Sequence, residues 1–234
     1  MNNFLIFGFS WYLVFLFSLV CHEAAHAFAA KKLGDDTAYE GGQVSLDPMP
    51  HIRREPFGML LIPIMSYITG GWMFGWASAP IDPMWAYSHP KRSAIVSLAG
   101  PLANLILTVF SMIFIRIGVA MSILYAPETY GFHSVAVAVE GGIGVGVAFL
   151  LSVCFSLNIL LFAFNLLPLS PLDGSGVVIL FMNEDFARKY MEIIYQPTFQ
   201  VIGIILAWRF FDVIGWPIIN FAVNILYFGM TSYS

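Results

Sequence analysis

Charge is what this chain has least of. Only 10% of its 234 residues are Asp, Glu, Lys or Arg and 59% are hydrophobic, against about 25% charged and roughly 45–50% apolar in a soluble globular domain. Such a chain cannot cover itself in water and reads as a membrane protein. The ten Lys and Arg are scattered and the formal charge is -4, so the basic surface of a nucleic-acid binder is missing. Cysteine is nearly absent. Cys21 and Cys154 each sit in an apolar stretch, where a thiol behaves as a small hydrophobe, which argues against a disulfide framework and against redox chemistry. Internal repeats, low-complexity tracts and an appended soluble domain are also lacking. The first apolar run has no basic n-region and no small-residue cleavage site, so it is expected to stay in place as an anchor.

What the chain does have is apolar length. Stretches without Asp, Glu, Lys or Arg run from Met1 to His22, Pro56 to Ile81, Ser93 to Ile115, Gly141 to Leu172, Ile193 to Trp208 and Val213 to Ser234. A bilayer needs about 20 apolar helical residues, so most of these are span candidates. Pro56–Ile81 differs from the rest in carrying Pro63, the pair Gly70-Gly71, and Gly75. If it crossed fully, Lys31, Lys32, Arg53 and Arg54 would lie on one side of the membrane and Lys91 and Arg92 on the other. If it dips in and returns, all six share a face with Arg188 and Lys189, while the N-terminus and the Ala126–Glu140 loop carry no Lys or Arg. The positive-inside rule favours the second arrangement, which makes the segment re-entrant or interfacial.

The expected fold is therefore an all-α polytopic protein of the cell membrane. Three core spans are expected, roughly Phe4–Ala30, Ser93–Met121 and Gly141–Leu167, with the N-terminus outside and the basic loops in the cytoplasm. The tail from Phe199 accommodates either one tilted span followed by an interfacial helix or a helical hairpin. Turn glycines and a short alternation between Ala38 and Pro50 suggest a small β-hairpin. The chain reads as a single domain over 1–234, with a core at 4–182 and a C-terminal helical segment at 199–231.

Late in the first span comes His22-Glu23-Ala24-Ala25-His26, an HExxH. Histidines at i and i+4 share a helical face, so both imidazoles can reach one metal ion, and Glu23 can take a proton from a metal-bound water. Three ionisable side chains within an apolar helix are costly and mark a functional site, although a polar helix end near Lys31 and Lys32 would relieve part of that cost. A catalytic zinc usually takes three protein ligands and a water. The position six residues after His26 is Lys32, so the third histidine of one HExxH pattern is missing. His51, His89 and His133 fall in loops and read as surface or interface residues. Among the acids, Asp173 stands out. It follows the third span after Pro168 and Pro171 and precedes Gly174, and that span runs in the same direction as the first, delivering Asp173 to the membrane face of His22 and His26. A helix cap in a Pro-Leu-Asp-Gly turn is the alternative role.

These residues resemble the site-2 protease family of intramembrane zinc metalloproteases. The likeness includes His22 to His26, the Asn-x-x-Pro-x-x-Pro-Leu-Asp-Gly pattern from Asn165 to Gly174, Phe74-Gly75-Trp76-Ala77 with Pro80, and Ala99-Gly100-Pro101-Leu102-Ala103-Asn104. It covers about Phe4 to Gly174 and is similar to the compact prokaryotic branch without PDZ or CBS domains. The chain departs from the pattern of many bacterial relatives at Ser175, where they repeat the glycine.

The resemblance implies one zinc per chain held by His22, His26 and Asp173, with Glu23 as general base. It implies that Asn165 contacts substrate backbone or a developing oxyanion, an interhelical hydrogen bond being its alternative role. Asn104 can be read likewise, or as packing beside Gly100 and Pro101. The implied partners are the lipid bilayer and the transmembrane segment of a membrane-protein substrate, with water reaching the site from the cytoplasmic side and room for a regulatory membrane partner. Two other classes compete with this reading. A transporter would move zinc or protons through the same residues, and a non-catalytic scaffold would retain the fold without turnover.

Overall fold

The computed structural model describes residues 2–231 and 233. Three of its helices are long and apolar enough to cross a membrane: α1 (Asn2–Leu33), α6 (Pro90–Ala120) and α7 (Ile143–Asn165). They match the three expected spans. The sequence breaks account for their ends. Helix α1 runs into Gly34, which takes a φ of 104°. Helix α6 opens on Pro90 at its first position, where the missing N–H is not needed. Beyond α7 stand Pro168 and Pro171.

Helix α6 is the centre of the bundle and packs along both α1 and α7. Its buried face includes Gly100, Asn104, Thr108, Ser111 and Gly118, small or polar residues spaced by three, four or seven so that they form one stripe. Small residues let helix backbones approach closely where lipid offers no hydrophobic drive to associate. The opposite face of α6 carries exposed Ile106, Phe110, Ile113 and Phe114, as lipid contact requires.

The stretch between α1 and α6 does not cross. After the short helices α2 (Thr37–Glu40) and α3 (Pro48–Arg54), one π-helical turn at Phe57–Leu61 leads into α4 (Ile62–Gly70). Helix α4 climbs beside α1, where the Tyr12 hydroxyl donates to the Met59 carbonyl at 3.0 Å and the Tyr67 hydroxyl to the Phe4 carbonyl at 2.9 Å. Gly71, at a φ of 66°, reverses the chain. Residues 72–82 then return in extended form, so that the Trp76 N–H reaches the Gly58 carbonyl at 3.2 Å, where the segment began. The chain thus leaves and returns to the same end, as expected of a re-entrant or interfacial segment. Helix α5 (Pro83–Ser88) joins it to α6.

The hairpin expected between Ala38 and Pro50 is replaced by α2, a turn at Gly41-Gly42, and α3. The cause is local: Asp47 Oδ1 accepts the Met49 N–H at 2.9 Å and Pro48 occupies the first helical position, which nucleates a helix where the alternation suggested a strand. The two-stranded sheet lies elsewhere, in the connection between α6 and α7. There β1 (Leu124–Tyr125) pairs antiparallel with β2 (Val137–Ala138), Leu124 opposite Ala138 and Tyr125 opposite Val137.

After α7 come α8 (Asp173–Val177), a 3₁₀ turn at Val178–Phe181, and α9 (Glu184–Ile194), a helix with buried Ala187, Met191 and Ile194 on one side. The chain bends by 81° into α10 (Pro197–Leu226). Of the two arrangements expected for the tail, neither is built: the polar helix precedes the long one, which is continuous. Helix α10 runs to the opposite end of the bundle, where the Tyr227 hydroxyl donates to the Val135 carbonyl at 2.9 Å and the Tyr233 hydroxyl to the Pro127 carbonyl at 2.6 Å.

Candidate metal centre

His22 and His26 occupy one face of α1, four residues apart, and their Nε2 atoms lie 3.0 Å from each other. Asp173 meets them from the first turn of α8, with Oδ2 3.0 Å from His22 Nε2 and Oδ1 3.3 Å from His26 Nε2. Among the described residues these three form the one group of His, Cys, Asp and Glu with metal-ligand spacing. The loop from Leu166 to Leu172 sets the position of Asp173. It is held by the Ser170 hydroxyl donating to the Ile194 carbonyl at 2.7 Å, and by the Gly174 backbone lying so close to the Leu166 and Leu167 carbonyls that a Cβ would come within 2.3 Å of both. Ser175 turns its hydroxyl back to the Leu172 carbonyl at 2.8 Å, and Gly176 lies against Ser97 of α6.

The chemistry of the donor set fits a cation. His26 Nδ1 lies 2.7 Å from the Val96 carbonyl. A carbonyl can only accept, so Nδ1 carries a proton, which in the neutral ring leaves Nε2 with the lone pair. That lone pair faces Asp173 Oδ1 and the Nε2 of the second imidazole, an assembly of acceptors within a region where His22 is 5% and His26 7% exposed. Buried acceptors facing one another are costly without a proton or a metal between them. Space is provided by Gly100 of α6, whose absent side chain would otherwise lie 2.3 Å from His26 Nε2 and 2.5 Å from His22 Nε2.

Glu23 is 5% exposed and makes no side-chain hydrogen bond or ion pair among the described residues. With the three metal-spaced residues it lines a cavity of about 820 Å³, walled by the returning segment 72–82, by α7 and by α10. Aromatic pairs Phe74–Trp208 and Trp72–Phe211, with centroids 5.8 and 6.4 Å apart, close its flank. Helix α10 comes this close through Gly203, where a Cβ would stand 1.7 Å from the Ser170 carbonyl oxygen.

The two asparagines part company. Asn165 lines the cavity and spends one amide N–H on the Leu161 carbonyl at 3.0 Å. Asn104 is fully buried behind the metal-spaced residues, with Oδ1 2.5 Å from His22 Nδ1, so it faces the back of an imidazole and not the cavity. The remaining histidines stand apart. His51, expected at a surface or an interface, is 1% exposed on α3, with Nε2 3.1 Å from the Ser45 carbonyl. His89 precedes α6 and bonds the Trp85 carbonyl, and His133 packs by Trp11 at the other end of the bundle. Sequence reasoning did not single out Asn158, whose amide joins Asn104 to Ser18; no local spacing links positions 54 and 140 residues apart.

Comparison with known proteins follows this geometry. The pattern of "Peptidase family M50" matches residues 10–210. "Putative zinc metalloprotease YwhC" of Bacillus subtilis (strain 168) is 35% identical over 162 residues, 69% of this chain and 64% of that protein. "Putative zinc metalloprotease Rip2" of Mycolicibacterium smegmatis (strain ATCC 700084 / mc(2)155) is 32% identical over 173 residues, 74% of this chain and 57% of the relative. The matched stretch thus spans less than two thirds of both relatives. No solved structure matches the chain. A match reaching from the first span into α10, over a helix bundle that gathers two histidines and an aspartate, places this chain in peptidase family M50.

Proposed function

We propose that the protein is an intramembrane zinc metalloprotease, a single domain over 1–234 that hydrolyses peptide bonds within or near the transmembrane segments of other membrane proteins. The observation that carries this reading is the meeting of His22, His26 and Asp173 at about 3 Å beside a Glu23 without a side-chain partner among the described residues, in a cavity of about 820 Å³. One zinc per chain would be held by those three side chains. It would supply an acidified water and a Lewis acid for the scissile carbonyl. Glu23 takes the water proton and returns it to the leaving amine, acting as base and then as acid. Asn165, on the cavity wall, offers its second amide N–H to the substrate backbone or to a developing oxyanion.

The extended segment 72–82 supports a mode of substrate capture. Phe74 donates its N–H to Ser66 Oγ and Trp76 to the Gly58 carbonyl, and the Ser78 carbonyl accepts from Gln43 Nε2. Successive residues of an extended chain present their hydrogen-bonding groups to alternate sides, so the groups of Gly75, Ala77 and Ala79 face the other edge. Their N–H groups have no partner among the described residues. A substrate helix that unwinds near the site frees main-chain groups in lipid, and strand addition along this edge would satisfy them. The basic end of the bundle bearing Lys31, Arg54 and Lys91 is assigned to the cytoplasm, from which water reaches the site.

The test is cleavage of a panel of single-span membrane proteins by the purified protein in lipid vesicles. Zinc-dependent cleavage is expected, abolished by Glu23→Gln with zinc still bound. Unchanged cleavage by Glu23→Gln would sink the mechanism. Zinc flux into sealed vesicles without cleavage would support the transporter instead.

A further inference from the structure

A chain of buried amides and one hydroxyl runs behind His22 through three helices. His22 Nδ1 is 2.5 Å from Asn104 Oδ1 on α6. Asn104 Nδ2 donates to Asn158 Oδ1 on α7 at 2.8 Å. Asn158 Nδ2 donates to the Cys154 carbonyl at 2.8 Å and to Ser18 Oγ on α1 at 2.9 Å, and the Ser18 hydroxyl donates to the Val14 carbonyl at 2.7 Å. Ser18, Asn104 and Asn158 are each fully buried, so none can turn to water instead.

We infer that Asn104, Asn158 and Ser18 are positioning residues that fix the tautomer and ring orientation of His22 and so make its Nε2 a metal ligand. The direction of every bond follows from the two ends that cannot reverse. Backbone carbonyls only accept, so the Asn158 NH₂ must face Cys154 and the Ser18 hydrogen must face Val14. Asn158 then turns its oxygen to α6, which obliges Asn104 to present its NH₂ there and its oxygen to the imidazole. An imidazole facing an amide oxygen through Nδ1 must carry the proton on Nδ1, leaving the Nε2 lone pair aimed at Asp173 and His26. His26 reaches the same state with a single carbonyl, that of Val96. His22 has no backbone carbonyl in that role and obtains its fixed polarity from α7, two side chains away.

The inference rests on the zinc reading for the identity of the ion, and its test separates the two. Zinc affinity is measured by chelator competition in detergent, beside thermal unfolding, for the unaltered protein, Asn104→Leu, Asn158→Leu and Asn158→Asp. Affinity is expected to fall about 10–100-fold for Asn104→Leu, as when the outer partner of a metal histidine is lost. Asn158→Leu, which touches neither metal nor ligand, should lose about tenfold, because the Asn104 amide is then free to turn. Asn158→Asp, as a buried neutral acid, donates its O–H to the Cys154 carbonyl, keeps its other oxygen toward α6 and should stay within about threefold.

A role in packing alone would make affinity indifferent to which group replaces Asn158. The inference is therefore overturned if Asn158→Leu binds zinc like the unaltered protein, or if Asn158→Asp loses as much. Should the Leu variant fail to fold, ¹⁵N-histidine spectra of the unaltered zinc-loaded protein decide the matter. Ligation through His22 Nε2 with a slowly exchanging Nδ1–H is expected, and ligation through Nδ1 overturns it. An unaltered protein that binds no zinc sinks the metalloprotease reading itself; one that binds zinc equally well in all variants sinks only the positioning role.

Discussion

The Lys91 side chain, in the first turn of α6, is ringed by the carbonyls of Ile179, Leu180 and Met182, the first two at 3.0 and 2.7 Å. It caps the 3₁₀ turn that follows α8 and ties the segment bearing Asp173 to the helix bearing Gly100. Lys91→Met keeps most of the stem and removes three hydrogen bonds, leaving half-buried carbonyls unpaired at a cost of about 1–3 kcal/mol. For a chain of this length each kcal/mol lowers the unfolding midpoint by about 2–4 °C. Thermal unfolding in detergent should register that loss, and an unchanged midpoint would contradict it. At this scale the sequence was most legible where chemistry and spacing coincide: His22 and His26 declare a shared face by their separation, and Asp173 is marked by the prolines before it. Asn104 was visible as a residue but not as a partner of His22, because the bond joins positions 82 apart.

Among the elements, the returning segment carries the clearest prediction. Ala77→Pro removes one N–H from the open edge while leaving the extended conformation and the bonds made by Phe74 and Trp76 in place. If substrate adds as a strand there, kcat/KM should fall about tenfold or more, the loss of a hydrogen bond with its partner left unsatisfied, with zinc affinity unchanged. Equal turnover by Ala77→Pro in the vesicle assay would exclude that edge as the binding strand. The re-entrant course was legible from the distribution of Lys and Arg, a property of the whole chain that no local pattern hides. The helices at 37–40 and 48–54 were not, because short alternation and turn glycines look alike before a strand and beside a capped helix. The Asp47-Pro48 pair was the available signal, and Asp82-Pro83 opens α5 in the same way.

For the molecule as a whole, one ion would join the end of α1 to the chain beyond α7, two parts distant in sequence. Metal that binds only the folded state stabilises it by mass action, by about 4 kcal/mol at a thousandfold excess over Kd. Removing zinc with a chelator should lower the unfolding midpoint of the unaltered protein and leave that of a His22→Ala, His26→Ala double variant unmoved; no difference between the two would argue against a shared ion. Sidedness makes a second whole-molecule prediction. Eight of the ten Lys and Arg, namely Lys31, Lys32, Arg53, Arg54, Lys91, Arg92, Arg188 and Lys189, lie in the connections at one end of the bundle or in the helix turns that border them. A tag at the N-terminus should be reached by an impermeant reagent in intact cells, and a cysteine at position 92 should be reached only after permeabilisation. The reverse labelling would invert the assigned orientation.

The bare backbone at Gly100 has a meaning for the kinship of such proteins. Because a single methyl group there would crowd both imidazole Nε2 atoms, the step from an enzyme able to hold an ion to an inert relative need not touch any residue that a motif search inspects. Chains that keep both histidines and the aspartate but bear a larger residue at the equivalent of position 100 are the ones to suspect of having kept the scaffold and given up the chemistry.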